Sequence, residues 1–589
     1  MEDAIGTHRH VRDDILVEWD VPIEMEDGVV LRADVFRPRD ESGHPVILAY
    51  GPYAKGLGFE QGYPDAWNAM VRAHPEILRG SSGAHQAWEV VDPERWVPDG
   101  YVCVRIDARG WGRSPGSIEP WSSRETKDLH DCIEWAGVQP WSDGKVGLLG
   151  ISYYAINQWL VAALQPPHLV AMIPWEGFGD FYRDMNYHGG IGSDMKEVWY
   201  QRTISTVQHG LGTRAAKNEI TGELVAGPET LSDDELEANR SDFPGEIRMH
   251  PLDDEWHRDR SAVWDRILVP FLSSGNWGGS SLHLRGNVEG FVRAASPRKW
   301  LEIHGREHWT EFYTDYGIAL QKRFFDHFLK GEDNGWDRQR PVMLRVRTVD
   351  GGFIDREEDE WPIARTRWKT LYLDAATATL TPRPVLEEGS ESFDALESDG
   401  ATFFTSPFET ETEITGPVAA KLFVSSSTTD ADLFLVLRVF APTDEEVVFR
   451  GAVDPHTPVG HGWLRVSHRK LDPALSTAFR PYHTHDEVQP LEPGEVYEID
   501  VEIWPTSIIV PVGYRIALSI RGKDYEYAGA DEGVGLSHFK GSRFTGVGIY
   551  THEDPASRPR DVFGGRTTLH AGGPHGSVLL IPVVPAEHG

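Results

Sequence analysis

Ser152 stands in the stretch Gly150-Ile151-Ser152-Tyr153-Tyr154, at the junction of two different hydrophobic patterns. The apolar run at 146–149 predicts a buried strand, and the pattern at 155–163 predicts a helix. A serine at such a turn projects its Oγ from the sheet edge, where the helix N-terminus favours developing negative charge. Tyr154 replaces the second glycine of the usual Gly-x-Ser-x-Gly pattern. We predict that Ser152 is an acylatable nucleophile; a structural serine is the alternative.

A tyrosine can complete the site for the acyl oxyanion. Tyr53 follows the apolar run at 44–50, where hydrolases with this kind of sheet supply an oxyanion donor. Its hydroxyl can donate to the oxyanion beside the backbone N–H of Tyr153. The alternative is a tyrosine that packs in a turn.

The general-base histidine of such hydrolases follows the last core strand. The run at 300–303 predicts this strand, and His304 and His308 come after it. We interpret His304 as structural because it continues the strand, and we predict that His308 is the base.

The elements that must position these residues alternate between strands and helices. Short apolar runs recur at 101–106, 146–150, 169–174, 267–273 and 300–303, and Ser123 is predicted to cap a helix between two of them. This alternation predicts a parallel sheet with helices on both faces. From 177 to about 260 the sequence is helical, charged and aromatic without a convincing strand, which indicates an insertion over the sheet edge. After about residue 361 the hydrophobic period becomes two, which predicts an all-β sandwich or jelly roll.

Composition excludes several classes of protein. The 589 residues carry a formal charge of −35, from 57 basic and 92 acidic residues, which argues against a nucleic-acid or anionic-membrane partner. Cys103 and Cys132 cannot form a disulfide framework and are expected to be buried thiols. Residues 1–14 lack the pattern of a secretory leader, and no apolar run is long enough for a membrane span. We therefore expect a cytoplasmic protein, with homodimerisation left open.

Several blocks resemble the signature motifs of the CocE/NonD hydrolases, the family of cocaine esterase and X-Pro dipeptidyl-peptidase. The resemblance extends from about 21 to 584, and its blocks occur in the family's order: Gly51-Pro52-Tyr53, 107–116, 139–147, Gly150-Ile151-Ser152-Tyr153, Asp180-Phe181-Tyr182-Arg183, Asp253-Asp254-Glu255-Trp256 and Val512-Gly513-Tyr514-Arg515-Ile516. It implies an α/β-hydrolase domain with an inserted helical cap, followed by a C-terminal jelly-roll β-sandwich that helps to wall the active site. We accordingly divide the chain into hydrolase core (1–176 and 263–350), cap (177–262) and jelly roll (360–589). The resemblance also implies an oxyanion hole at Tyr53 and Tyr153 and a base at His308.

The acid that should orient the histidine is not at the family's position. The family usually has Gly-Trp-x-Asp after the strand that precedes the histidine, whereas this chain has Gly275-Asn276-Trp277-Gly278. Asn276 can orient an imidazole but cannot neutralise it. We predict that Glu176, at the end of the strand that follows the nucleophile, is the acid, as in some lipases. Glu307 is a weaker candidate, and the alternative for Glu176 is a carboxylate that anchors the cap by pairing with Arg183.

The favoured function is hydrolysis of a small-molecule carboxylic ester, with Trp175, Trp199 and Trp277 predicted to bind an acyl or aryl group. Amide cleavage by an X-Pro dipeptidyl peptidase or an α-amino-acid ester hydrolase is the alternative, because carboxylates in or near the cap can bind a substrate ammonium: Asp180, Asp184, Asp253 and Asp254. A third alternative is a non-catalytic binding protein with a degenerate site. We expect no cofactor and no metal, since the sequence has no nucleotide-binding glycine motif and His483-Thr484-His485-Asp486 has no companion cluster.

Overall fold

Two large β-sheets organise the chain in the computed structural model, which describes residues 9–12, 15–529 and 544–586. The first thirteen strands in chain order are β1 (Arg9–Arg12), β2 (Ile15–Glu24), β3 (Val30–Pro38), β4 (His44–Gly51), β5 (Val102–Asp107), β6 (Ser142–Ile151), β7 (Leu169–Trp175), β8 (Tyr187–His188), β9 (Ile191–Gly192), β10 (Phe271–Asn276), β11 (Lys299–His304), β12 (Val342–Arg347) and β13 (Phe353–Glu358). All of them except the β8–β9 hairpin belong to the first sheet. The expectation for residues 1–14 falls largely outside the described residues.

The centre of the first sheet is parallel, as the alternating pattern predicted. Its strand order is β1-β2-β3-β5-β4-β6-β7-β10-β11-β12-β13, and the pairs from β5 to β12 are all parallel. Antiparallel strands flank both edges. Because parallel strands align their carboxyl ends, residues that follow β4, β6, β7, β10 and β11 meet at one edge of the sheet.

Short helices connect and cover these strands. They are α1 (Phe59–Gly62), α2 (Pro64–Ala73), α3 (Pro93–Trp96), α4 (Ser123–Gly137), α5 (Tyr153–Ala162), α6 (Met195–Trp199), α7 (Ser205–Val207), α8 (Asp233–Ala238), α9 (Phe243–Met249), α10 (Glu255–Arg258), α11 (Leu284–Arg293), α12 (Thr310–Tyr313), α13 (Asp315–Phe325) and α14 (Arg560–Phe563). The predicted cap of α4 was wrong by one residue, since Ser122 accepts the hydrogen bond from Glu125 N. Every helix in the described ranges falls short of the length and apolarity needed to cross a bilayer.

The segment between β7 and β10 contains five short α-helices, α6 to α10, joined by turns and irregular chain. The sequence shows no convincing strand in this segment, and in the structure Tyr187–His188 and Ile191–Gly192 pair there as a hairpin of two-residue strands. Strands this short leave no periodic pattern in the sequence. The description of this segment as a cap, and the boundaries of the predicted domains, stay predictions.

The C-terminal part is largely β. Its strands are β14 (Arg367–Asp374), β15 (Thr379–Thr381), β16 (Gly389–Asp394), β17 (Ala401–Thr405), β18 (Thr412–Ser426), β19 (Asp432–Phe440), β20 (Glu446–Val447), β21 (Gly460–Arg465), β22 (Tyr497–Val510), β23 (Arg515–Arg521), β24 (Arg566–Ala571) and β25 (Val578–Val584). In the described residues β25 pairs with both β14 and β18, which closes the sheet into a barrel-like ring. The jelly-roll strand order stays a prediction.

The C-terminal part packs directly against the first sheet. One apolar cluster contains residues of both, including Trp277 and Ile303 from the first and Trp463 and Trp504 from the second. Arg347, at the end of β12, donates hydrogen bonds to Ser507 O, Val459 O and Thr506 Oγ1 at 2.7–2.9 Å. These contacts hold β22 and the residue before β21 beside the carboxyl edge of the parallel strands.

Candidate active site

Ser152 occupies a strained turn between β6 and α5. Its backbone has φ 57° and ψ −114°, a region that residues other than glycine rarely adopt. Its N–H donates to Trp175 O and Glu176 O, each at 3.1 Å, and thereby ties the turn to the end of β7. Such strain persists when the surrounding structure holds it, and it commonly marks a functional position.

The space around the turn explains why Tyr154 can replace a glycine. A Cβ on Gly150 would lie 2.5 Å from the Tyr154 Cβ, and one on Gly51 would lie 2.6 Å from the Tyr154 Cε1. Both contacts are too short for real atoms, so these two glycines make room for the tyrosine ring. On the other side of the turn, a Cβ on Gly177 would lie 2.6 Å from the Ala155 Cβ.

Ser152 opens into a cavity of about 600 Å³, counting space open to solvent. The segment after β7 supplies Phe178, Met195 and Trp199, and the β domain supplies Val453, Ile549 and Tyr550. The other lining residues of the hydrolase part include Tyr53, Tyr63, Trp88, Glu89, Trp121, Tyr153, Leu282, His283 and His308. The lining is therefore mostly aromatic and aliphatic, with a few polar groups close to the serine.

His308 is hydrogen-bonded to Glu176, the acid predicted from the sequence. His308 Nδ1 lies 2.7 Å from Glu176 Oε2. Asn276 Nδ2 donates to Glu176 Oε1 at 3.1 Å and to Arg306 O at 2.9 Å, so Asn276 orients the carboxylate and not the imidazole. The alternative in which Glu176 pairs with Arg183 is wrong, since Arg183 binds Asp180 and Asp253.

Glu176 also contacts a second histidine. His304 Nε2 lies 3.0 Å from Glu176 Oε1, and His304 Nδ1 lies 2.9 Å from Glu302 Oε2. Burial disfavours charge on Glu176, but His308 and His304 outweigh it and lower its pKa to about 2. Burial likewise disfavours an imidazolium at His304, but Glu302 and Glu176 raise its pKa to about 9. His304 is thus a structural counter-charge behind Glu176.

Glu89 is hydrogen-bonded to the other ring nitrogen of His308. Glu89 Oε1 lies 3.0 Å from His308 Nε2, the atom that a general base would turn toward the serine. Burial opposes a charge on His308, but Glu176 and Glu89 outweigh it and raise its pKa to about 10. Burial also raises the pKa of Glu89, against the effect of His308. Without a substrate, His308 therefore lies between two acidic side chains that favour its protonated form. The backbone of Glu89 has φ 63°, and its sequence context carries no motif that could have indicated it.

The side chain that touches Ser152 is His283, which sequence analysis missed. His283 Nε2 lies 3.1 Å from Ser152 Oγ, and His283 Nδ1 accepts a hydrogen bond from Phe178 N at 3.2 Å. The His283 ring is parallel to the His308 ring, with centroids 5.3 Å apart. Burial, followed by the charge of His308, lowers the pKa of His283 well below its usual value. Its position seven residues after Asn276, in the loop where the family carries its acid, is the signal that could have found it.

Tyr53 and Tyr153, the predicted oxyanion donors, both line the cavity into which Ser152 opens. Tyr53 is buried and lines the cavity. Burial and nearby Glu89 raise its pKa well above the usual value, so its hydroxyl keeps its proton. Tyr153 is the first residue of α5, where the backbone N–H has no acceptor within the helix. Its hydroxyl points away and donates to Glu125 Oε2 at 2.8 Å.

Of the three tryptophans predicted to bind substrate, the cavity contains Trp199. The predictions for Trp175 and Trp277 were wrong. Trp175 is fully buried with its ring against His304 and Phe312, and Trp277 donates to Arg345 O and packs near Trp361. Trp175 ends β7 and Trp277 follows β10, but the side chains of both point into the interior.

The other predicted polar residues are occupied elsewhere. Asp180 and Asp253 bind Arg183, Asp184 binds Arg285, Asp254 binds His250, and Glu307 binds Arg450. In the part of the chain that the structure describes, no group of three or more His, Cys, Asp or Glu side chains could hold a metal ion. The two cysteines are free and buried, as predicted.

Comparisons with known proteins agree with this architecture. Residues 27–310 match the family model of X-Pro dipeptidyl-peptidase (S15 family), and residues 334–579 match that of the X-Pro dipeptidyl-peptidase C-terminal non-catalytic domain. The crystal structure of a CocE/NonD family hydrolase from Staphylococcus aureus is 31% identical, with a TM-score of 0.81 over 97% of this chain and 94% of that chain. Cocaine esterase from a Rhodococcus species is 24% identical over 96% of this chain and 98% of its own length. A putative serine esterase of Mycobacterium bovis is 24% identical over 85% and 90%.

A strained serine at a strand-to-helix turn, in a hydrolase fold with a C-terminal non-catalytic β domain, is the architecture of a class of serine hydrolases. This chain belongs to the CocE/NonD family of hydrolases.

Proposed function

We propose that this protein hydrolyses carboxylic esters through an acyl-enzyme on Ser152. The observation that best supports this proposal is the strained backbone of Ser152, which lines an aromatic cavity. Tyr53 and His308, which is hydrogen-bonded to Glu176, line the same cavity. A nucleophile, a base with its acid and two oxyanion donors are the groups that acyl transfer requires.

In the proposed reaction His308 carries the proton. Ser152 Oγ attacks the ester carbonyl carbon while its proton passes to His308 Nε2, and the tetrahedral intermediate then expels the alcohol, which takes that proton. Water adds to the acyl-enzyme by the same route, and its proton returns through His308 to Oγ as the acid leaves. Glu176 holds Nδ1–H and stabilises the imidazolium. Before it can accept the serine proton, His308 must be neutral, so its Nε2–H must first pass to Glu89 or to solvent, and Nε2 must then turn from Glu89 to Ser152.

Tyr53 and Tyr153 are proposed to bind the oxyanion. The Tyr53 hydroxyl and the Tyr153 backbone N–H both donate, and both are held by the fold before substrate arrives. Charge that develops on the carbonyl oxygen would therefore meet fixed dipoles in a cavity lined mostly by aromatic and aliphatic side chains.

The lining favours a hydrophobic acyl or aryl group. Phe178, Met195 and Trp199 come from the proposed helical cap, and Val453 and Tyr550 come from the proposed jelly roll. Trp121 stacks on both Tyr153 and Trp199, with ring centroids 4.4 Å and 5.3 Å apart, and forms a flat aromatic wall. Such walls bind flat apolar groups through buried area and ring contacts.

Esters are favoured over peptides because the predicted ammonium-binding carboxylates are neutralised. Asp180, Asp184 and Asp253 are in ion pairs with arginines outside the cavity. Among the described residues that line the cavity, Glu89 is the acidic one, and it contacts His308. A substrate ammonium would have to compete with that imidazole.

The test is labelling with a fluorophosphonate read by intact mass, followed by peptide mapping. We expect one adduct on Ser152, loss of the adduct in Ser152→Ala, and no change in the control Ser42→Ala, which alters an exposed serine. An unlabelled wild-type protein would instead support a non-catalytic binding role. Turnover of p-nitrophenyl esters should exceed that of X-Pro and aminoacyl anilides; the reverse order would support the peptidase alternative.

A further inference from the structure

We propose that His283 is a second catalytic histidine, which donates its Nε2–H to Ser152 Oγ and stabilises the charge that develops there while His308 carries the proton. The inference rests on the proposed function, because it assigns a role at the same serine.

The tautomer of His283 follows from its partners. A backbone N–H can only donate, so the hydrogen bond from Phe178 N requires His283 Nδ1 to be unprotonated. A neutral imidazole carries one proton, which must then be on Nε2. Nε2 lies 3.1 Å from Ser152 Oγ, so it donates to the serine and is not positioned to take the serine proton.

The environment of His283 keeps this neutral tautomer. Its two nitrogens are used by Phe178 N–H and Ser152 Oγ, neither of which is a carboxylate. The ring lies between Phe178 and His308 and is parallel to both, with interplanar angles of 12° and 14°. The side chain is 2% exposed, so the ring cannot turn into solvent. By contrast, His308 has the Nδ1-bound carboxylate that a catalytic base needs.

A donor on Oγ assists both halves of the reaction. When the serine proton leaves, partial negative charge develops on Oγ, and a hydrogen bond to the charged form favours it. When the acyl-enzyme breaks down, Oγ is the leaving oxygen and gains the same stabilisation. Ser152 accepts from His283 through a lone pair, which leaves its own O–H free to donate to His308 once Nε2 of His308 is unprotonated and has turned from Glu89. The two histidines therefore have different roles: His308 transfers the proton, and His283 stabilises the negative charge on Ser152 Oγ.

The experiment compares His283→Gln, His283→Ala and His308→Gln by kcat/KM on a p-nitrophenyl ester. A glutamine amide can donate near the Nε2 position but cannot accept a proton. We expect His283→Gln to stay within about tenfold of wild type and His283→Ala to lose on the order of 10²–10³-fold, the usual effect of removing one donor from a charged oxygen. His308→Gln should lose about 10⁴-fold or more.

If His283 were instead the general base, His283→Gln would be as inactive as His283→Ala, which would overturn the proposal. The pH profile gives a second readout, because His283→Gln should keep the wild-type acid limb of kcat/KM. A third readout needs no variant: ¹⁵N NMR of the wild-type protein should show His283 Nδ1 unprotonated and Nε2 protonated. The opposite assignment would refute the donor role even if the variants misfold.

Failure of this inference can be told from failure of the proposed function. If Ser152→Ala is inactive and unlabelled but His283→Ala is within twofold of wild type, only the role of His283 is lost. If Ser152→Ala keeps full esterase activity, the proposed function itself is wrong.

Discussion

His308 Nδ1 lies 2.7 Å from Glu176 Oε2, so the acid partner of this histidine follows β7 and not β10. The two strands are neighbours, with Trp175 opposite Ser274 in the register, and a carboxylate after either one reaches the same imidazole. Asn276, the last residue of β10, donates to that carboxylate. The acid therefore follows a strand next to the one where the family pattern has it, and the histidine keeps a charge-assisted hydrogen bond.

Glu176→Gln tests this relationship. We expect a loss of about 10³–10⁴-fold in kcat on an ester, because the amide cannot stabilise the His308 imidazolium in the transition state. The matched control is Glu302→Gln, which removes the carboxylate on the far side of His304 without touching His308. Glu302→Gln should reduce kcat far less than Glu176→Gln does. Both proteins should be compared with wild type by thermal unfolding, and a loss below tenfold in a well-folded Glu176→Gln would refute the acid assignment.

Glu89→Gln should make the enzyme more active at low pH. The pKa of His308 is raised by Glu176 and Glu89, so removing the Glu89 charge lowers it and leaves more of the neutral base at a given pH. We expect the acid limb of kcat/KM to move to lower pH by roughly one unit or more. Glu307→Gln is the control, since Glu307 adjoins His308 in sequence but binds Arg450. An unchanged limb in Glu89→Gln would show that Glu89 is displaced before the measured step.

Tyr53→Phe should reduce kcat by about 10²–10³-fold with little change in KM, because the hydroxyl is proposed to bind charge that exists mainly in the transition state. Tyr63→Phe is the control in the same cavity. Its ring is stacked on Trp88 with centroids 4.0 Å apart, and no oxyanion role is proposed for its hydroxyl, so a loss below tenfold is expected. Steady-state kinetics on one ester separates the two. An effect of Tyr53→Phe confined to KM would argue for substrate packing in place of oxyanion binding.

The β domain should make the folded protein less stable in mild acid. His461 on β21 is buried with its ring parallel to Trp463, and burial lowers its pKa to about 4. In the unfolded chain His461 binds a proton near pH 6.5, whereas in the folded chain it does so only near pH 4. Its contribution to the free energy of unfolding is therefore complete above pH 6.5 and is lost as the pH falls through this window. At pH 5 the loss is about 2 kcal/mol for such a histidine.

The measurement is the free energy of unfolding between pH 7 and pH 4.5. We expect His461→Phe to show a shallower decline than wild type, because one proton-linked group is gone. The control His327→Gln changes a partly exposed histidine and should follow the wild-type curve. Parallel curves for wild type and His461→Phe would mean that other groups cause the acid lability.

Local patterns in the sequence were enough for the elements that carry the site. The apolar run and helix around Ser152 predicted the β6–α5 turn, and the period-two alternation predicted β22 and β23, because each pattern reflects which faces of one element are buried. The parallel centre of the first sheet followed from the alternation of strands and helices. The candidacy of Glu176 as the acid could also be predicted from the sequence. It follows a neighbouring strand, and the carboxyl ends of parallel strands meet at one edge.

Only the tertiary structure decided which side chains meet at Ser152. His283 is 131 residues away in the chain and Glu89 is 219 residues from His308, so their contacts depend on strand order and register. The directions of Trp175 and Trp277 were equally undetermined, because an aromatic residue after a strand can turn into the cavity or into the core. Sequence by itself determined the strand, the turn and the helix at Ser152, since these are local. The base's two carboxylates and the donor on the serine were decided by packing, which joins segments that no local pattern links.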